Sequence, residues 1–368
     1  MTTDTTAGPD RQTTAADLEA AAVETFAGKV LGDVAGAHIV FMGAIGDRLG
    51  LFRDLAERGP ATSAELAART HLSERYVREW ALGMTAGGYL DRDRASGTFS
   101  LPAHHVPVLA EEAGPTFLAN AFYDYATNFG AQYQALLEQF ATGRGAHQDA
   151  FPEAQEAIER FTAPWFLHSL VQQWLPEHPE IESALRSGGS LCDVGCGQGQ
   201  ALITLARTFE EATFVGYDVY PPAIEEARRK AAEAGVADRV RFEVADAAQA
   251  VPGRFDVVTV FDVLHDSHDP GAILRSIHDA LVPGGRFVAV DINVPDDPAD
   301  NVGPVAALIY GASLQYCLQV SLHDDGAGLG TAGLSYELLT KLATDAGFTD
   351  VRRFEIDDPI NTLYVLTP

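Results

Sequence analysis

From Ser187-Gly188-Gly189 onward the chain alternates between short apolar runs and longer amphipathic ones, and few folds accept that order. SLCDVGC, TFVGYDV, RVRFEVAD, RFDVVTVFDVL, RFVAVDI and TLYVLTP read as strands, since they are short, bounded by turn residues and rich in Val and Phe. QALITLARTF, AIEEARRKAAEAG, DPGAILRSIHDALVPGG and SYELLTKLATDAGF space their apolar residues as a helix face does. Strands that alternate with helices build a doubly wound, mainly parallel sheet with helices on both faces. The predicted class is therefore α/β over residues 186–368.

The preceding half has a different grammar. Residues 1–25 are polar and Thr-rich at the start, without the basic-then-apolar pattern of a signal peptide, and are expected to be a disordered tail. Periodicity predicts a helix from about Phe26 to Arg48. Thr62 or Ser63 then caps a short helix with Glu65 in its first turn, and Ser73 caps a third that stops at Gly87-Gly88. YLDRDRASGTFSL reads as a hairpin turning at Ser96-Gly97, with Tyr89, Leu90, Phe99 and Leu101 as strand residues. Helix, helix, hairpin is a winged helix, assigned to 26–110. Residues 111–185 read as helices carrying Phe122, Tyr123, Tyr125, Tyr133, Trp165 and Phe166, a helical linker that would wall a small-molecule pocket.

Charge narrows the function. Asp and Glu number 52 against 25 Lys and Arg, a net charge of −27, which repels nucleic acid and anionic membranes on average. The third helix of the winged module sets Arg75 and Arg78 beside Glu74 and Glu79, without the basic stripe of a DNA-reading helix. No nucleic-acid partner is expected. Nor is a membrane partner, because no run of about eighteen apolar residues is evident. Cys192, Cys196 and Cys317 form no CxxC pair, and no HExxH is present, so neither a disulfide framework nor a metal site is expected. A cytoplasmic protein fits these readings.

The chemistry concentrates at the ends of the strands. Asp193 closes the first strand and is followed by Gly195, Cys196, Gly197 and Gly199. Such glycines let a ligand approach the backbone, next to the N-terminus of the following helix. The spacing is GxGxG and not the GxGxxG of dinucleotide sites, and a carboxylate before it would repel a pyrophosphate but favour an ammonium group. Asp218 ends the second strand beside Val219, where an acid can hold a ribose diol. Asp246 and Ala247 follow the third strand, placed to meet an adenine, and Phe261 and Asp262 end the fourth.

The ordered set DVGCGQG, GYD, VADA, FDVVTVFDVLHD and LVPGGRF resembles the motifs of class I S-adenosylmethionine-dependent methyltransferases. With the winged helix in front, the chain resembles the small-molecule O-methyltransferase family, in an actinobacterial, mycobacterial-type branch. The resemblance implies S-adenosyl-L-methionine as cofactor. It puts Gly195, Cys196 and Gly197 on the methionine part, Asp193 near its ammonium, and Asp218 and Val219 at the ribose. Asp246 and Ala247 would meet the adenine, with Phe261 and Asp262 as the floor. It also implies a homodimer formed through the first domain.

In that family a histidine after the fourth strand serves as base, in an HDW-type motif. Here the matching text is His265-Asp266-Ser267, without the Trp. A hydroxyl acceptor needs such a base near neutral pH, and His265 is the candidate, with His168, His268 and His323 behind it. Tyr125, His168, Tyr310 and Tyr316 are candidate acceptor-site residues. An S-, N- or C-methyltransferase working by positioning alone, a scaffold repurposed for other chemistry, and a regulator that senses the cofactor are the rival readings.

Overall fold

The computed structural model describes residues 14–129 and 132–368. The chain divides into two compact units, the first ending at Val106 and the second running from Pro107 to Pro368.

The first unit opens with a helix over Ala15–Arg48. Residues 14–25 are thus not the tail expected of them, while 1–13 lie outside the described residues. The cause is local. Thr14 Oγ1 accepts the amide of Asp17, and the Asp17 carboxylate accepts the amide of Thr14 at 2.9 Å, a capping box ahead of an Ala-rich run with strong helix propensity. This helix is also long and apolar enough to cross a membrane by length and composition, with a mean hydropathy of 1.3 over its best window. That corrects the expectation of no such segment. The apolar residues are interrupted by a Lys29–Asp33 ion pair, which a search for an unbroken apolar run passes over.

The winged module follows over Leu51–Arg58, Ser63–Thr70 and Glu74–Ala86. Thr62, not Ser63, caps the middle helix, with Glu65 completing the capping box. Two short strands, β1 (Asp91–Arg92) and β2 (Phe99–Ser100), form the wing, and the Asp93 carboxylate accepts the amides of Ala95 and Ser96 in its turn. Phe52, Leu66, Trp80 and Met84 make its core, Phe52 meeting Trp80 edge-on at 5.3 Å between ring centres. Arg75 pairs with Glu79 and Arg78 with Glu74, so both cations of the third helix are already engaged.

The second unit is built on seven strands: β3 (Ser190–Val194), β4 (Thr213–Asp218), β5 (Val240–Val244), β6 (Phe255–Phe261), β7 (Leu281–Ile292), β8 (Asp350–Phe354) and β9 (Asn361–Thr367). Their order is β5-β4-β3-β6-β7-β9-β8. The first five are parallel, whereas β9 runs antiparallel to both β7 and β8. β8 is the strand that the periodicity misses: an edge with exposed Arg352 and Arg353 carries no buried apolar alternation to read.

Residues 107–185 do not form a separate linker but belong to the second unit. Phe166, Leu170, Trp174 and Leu175 share one buried cluster with Leu191, Leu202 and Phe214 on the sheet and its first helix. The helix Gln200–Thr208 starts directly after the glycine turn. Gly195 there has φ 72°, and a Cβ on it would run into the Val263 side chain. Gly199 has φ 82°, and a Cβ on it would stand 2.5 Å from Phe242 Cζ.

Gly195→Ala therefore suffers both backbone strain and a clash in the cavity wall. The expected result is a loss of about 1–3 kcal/mol in unfolding free energy, read in urea, far above the few tenths of a typical surface substitution.

Candidate active site

The carboxyl ends of β3, β4 and β6 and the turn after β5 open onto one cavity of about 520 Å³. Ligands of open parallel sheets bind at such a place, where the strand order reverses, here on either side of β3. Asp193, Gly195, Cys196, Gly197, Asp218, Val219, Asp246, Ala247, Phe261 and Asp262, widely spaced in sequence, all line it.

Asp218 ties the glycine turn to the second strand. Its Oδ2 accepts the Gly197 amide at 2.9 Å, and its Oδ1 accepts the Tyr220 amide at 2.8 Å. The Val219 amide adds a third bond to the same carboxylate, which has about four lone-pair sites. Burial raises its pKa, against the pull of the backbone amides. Asp193 is 2% exposed and accepts the Thr259 hydroxyl at 2.7 Å. Burial pushes it up to about 7, the Thr259 bond opposes this, and Asp218 adds to it. Asp246 Oδ1 accepts the Ala248 amide at 2.9 Å, which fixes the turn after β5. The Phe261 ring sits edge-on to Phe166 at 5.2 Å and near Trp174, so the floor is held from the helical side.

Asp262 is the strained member. Its φ is 55°, a region few non-glycine residues enter, and its Oδ1 is buried without a hydrogen-bond partner. Burial pushes it up to about 8, the nearby Asp291 adds to the rise, and His265 opposes it. Asp266 also lines the cavity and is pushed by burial to about 7, again opposed by His265.

His265 itself does not line the cavity. It is 3% exposed, and its Nδ1 lies 2.6 Å from Asp291 Oδ1 while the ring also hydrogen-bonds Cys317. Burial alone would lower its pKa, but Asp291 and Cys317 raise it well above the ordinary value. Of the candidate acceptor-site residues, Tyr316 lines the cavity, whereas Tyr125, His168 and Tyr310 do not. His168 Nε2 is bonded to the Ala113 carbonyl at 2.6 Å, and Tyr310 is 40% exposed on the helix Pro304–Ala312. Helical periodicity reports which residues are apolar, not which way the helix faces, and these three face elsewhere.

Sequence reasoning passed over His147, Gln155, Glu159 and Thr162, which line the far wall. Glu159 is held there by Lys230 at 2.6 Å. It also passed over Asp291, although the strand-end rule that finds Asp193 and Asp218 applies equally to β7. His268 and His323 both face the cavity.

These buried acids carry a pH signature. Asp193, Asp262 and Asp266 keep protons in the folded chain that an unfolded chain has released above 3.8, so stability falls as pH rises from there to about 8. Asp262→Asn removes one such group. The fall in Tm between pH 5 and 8 is expected to be shallower in the variant than in the wild type; equal slopes would show that Asp262 does not take up the proton.

Residues 185–325 match the family model described as a methyltransferase domain, and residues 37–111 match the Rv2258c-like winged HTH domain. A tRNA (guanine-N(7)-)-methyltransferase from Rubrobacter xylanophilus is 34% identical over 93 residues, 25% of this chain and 40% of that protein. The chain thus matches well under two thirds of that curated relative's length. Solved structures match far more of it. The mitomycin 7-O-methyltransferase MmcR has a TM-score of 0.67 at 20% identity over 95% of this chain and 100% of its own. Human N-acetylserotonin methyltransferase, solved in complex with S-adenosylmethionine, has a TM-score of 0.66 at 19% identity over 93% of this chain and 97% of its own. The chain joins an Rv2258c-like winged HTH domain to a methyltransferase domain, and its fold is that of the S-adenosylmethionine-dependent small-molecule O-methyltransferases.

Proposed function

We propose that the protein transfers a methyl group from S-adenosylmethionine to a hydroxyl of a small-molecule acceptor. The carrying observation is the row of carboxylates on one cavity wall, with neither Lys nor Arg among the described residues that line it. A cavity of that sign suits a cationic cofactor and disfavours a pyrophosphate. The space beside Gly197, where an added Cβ would meet nothing within 4 Å, leaves the turn open to a ligand's backbone contact.

S-adenosylmethionine, when bound, supplies an electrophilic methyl group on a sulfonium. Asp193 would hold the ammonium and Gly195 and Gly197 the rest of the methionine part. Asp218 would accept the ribose hydroxyls, with Asp246 at the adenine. Phe166, Phe261 and Tyr316 would exclude water and orient the acceptor. The acceptor's proton would pass to a group that faces the cavity, for which His268 and His323 are better placed than the enclosed His265. The same enclosure is what favours the second reading, a sulfur acceptor that needs positioning and no base.

Titration calorimetry with S-adenosylhomocysteine tests the cofactor site. Micromolar binding is expected, about 100-fold weaker in Asp218→Ala, the equivalent of two hydrogen bonds to a charged group at about 1.5 kcal/mol each. A wild type that does not bind, or a variant that binds equally well, would remove the reading.

We also propose a cytoplasmic homodimer. Val23, Phe26, Val30 and Val34 follow one another at helical spacing along the first helix and are 46–66% exposed. A stripe of that kind is stabilised by a second copy of itself. Phe26→Asp with Val30→Asp is expected to halve the mass in light scattering at micromolar concentration. Wild type that is already monomeric, or that sediments with lipid vesicles, would contradict this.

A further inference from the structure

In the cavity wall and behind it lies a half-buried polar cluster whose His265 and Cys317 the proposed reaction does not use. His265, Asp266 and Cys317 each present one ligand atom, and all three atoms lie within 4.8 Å of one another. Asp262, His265 and Asp291 form a second such group around the same imidazole. We propose that His265, Asp266 and Cys317 bind a divalent ion of the zinc class, with Asp291 as the outer partner of the imidazole.

Three observations carry this. The first is orientation. Asp291 Oδ1 sits 2.6 Å from His265 Nδ1 and accepts the Ile292 amide as well, so the carboxylate is pinned and holds the ring. Metal-binding imidazoles are oriented in this way, one nitrogen on a carboxylate and the other on the ion. The thiol of Cys317, already hydrogen-bonded to the imidazole, would exchange its proton for the metal.

The second is unbalanced charge. Asp262, Asp266 and Asp291 surround a single imidazole, and the ion pair these carboxylates make among the described residues is the one with His265. Asp291 is 1% exposed, yet its Oδ2 has no hydrogen-bond partner, and neither has the buried Oδ1 of Asp262. A buried carboxylate oxygen left without a partner is costly, and a cation on the shared imidazole lowers that cost even though neither oxygen is one of its ligands.

The third is donor type and access. A thiolate, an imidazole and a carboxylate favour zinc over magnesium or calcium. Tetrahedral zinc holds its ligand atoms roughly 3.5 Å apart, within the span of this cluster. Asp266 belongs to both the cluster and the cavity wall, so an ion has a path in and the cavity can supply a fourth ligand. An acceptor hydroxyl on that fourth position would lose its proton more readily. This last consequence rests on the methyl-transfer reading; the site itself does not.

The test uses the full-length protein, stripped with a chelator and then titrated with zinc chloride in a calorimeter and with cobalt chloride in a spectrophotometer. One zinc per chain with micromolar or tighter affinity is expected, and a thiolate-to-cobalt charge-transfer band. Cys317→Ser is expected to abolish the band and weaken zinc at least tenfold, as is His265→Gln for the affinity, while Cys192→Ala retains both. Each variant is checked for S-adenosylhomocysteine binding as a sign of folding. Wild type that binds S-adenosylhomocysteine but no zinc would overturn the proposal and leave protons as the partners of the orphaned oxygens. So would a cobalt band that survives Cys317→Ser. Failure of S-adenosylhomocysteine binding with zinc still bound would instead overturn the methyl-transfer reading alone.

Discussion

The pairing of β3 with β4 on one side and β6 on the other is the constraint on which the rest of the site depends. Parallel pairing puts Asp193 opposite Gly216 and Thr259, so the ends of all three strands come out on the same edge. Asp193, Asp218 and Asp262, separated by long stretches of chain, thereby share one cavity. The Gly197 amide on Asp218 then fixes the turn between strand and helix. Gly216 completes the arrangement: a Cβ there would run into Phe242 and Cys196, which pack under the turn. Helices on both faces of the sheet bury the strands' other atoms and leave that edge free.

Collecting so many acids in one place opposes folding and prepares binding. Burial raises Asp193, Asp218, Asp262 and Asp266 together, so folding opposes their ionisation. A cationic ligand offsets the same penalty by a different route, which is why sites of strongly shifted acids so often prove functional. The cavity divides accordingly. One side is lined by strand ends and the turns after them, the other by helices and by the segment around Tyr316 and His323.

That division also explains how far the sequence could be read. A strand end is a fixed place in a parallel sheet, so motif spacing brings Asp193, Asp218, Asp246, Asp262 and the glycine turn to one cavity. Asp291 stands at the end of β7 by the same rule, but no glycine or motif draws attention to it. The helical side depends on the rotation of helices, which apolar periodicity does not encode. Tyr316 pointed inward while Tyr125, His168 and Tyr310 did not. His265 stands at the position its motif predicts, yet tertiary contacts with Asp291 and Cys317 enclose it, and neither contact is local in sequence. The early start of the first helix was legible after all, in Thr14 and Asp17, but a polar Thr-rich opening obscured the capping box.

The most direct measurement is a crystal structure of the protein with S-adenosylhomocysteine. The account predicts the ligand in the cavity at the ends of β3, β4 and β6, its ribose hydroxyls on the Asp218 carboxylate and its amino group toward Asp193. A ligand bound elsewhere, or a ribose that does not touch Asp218, would contradict it.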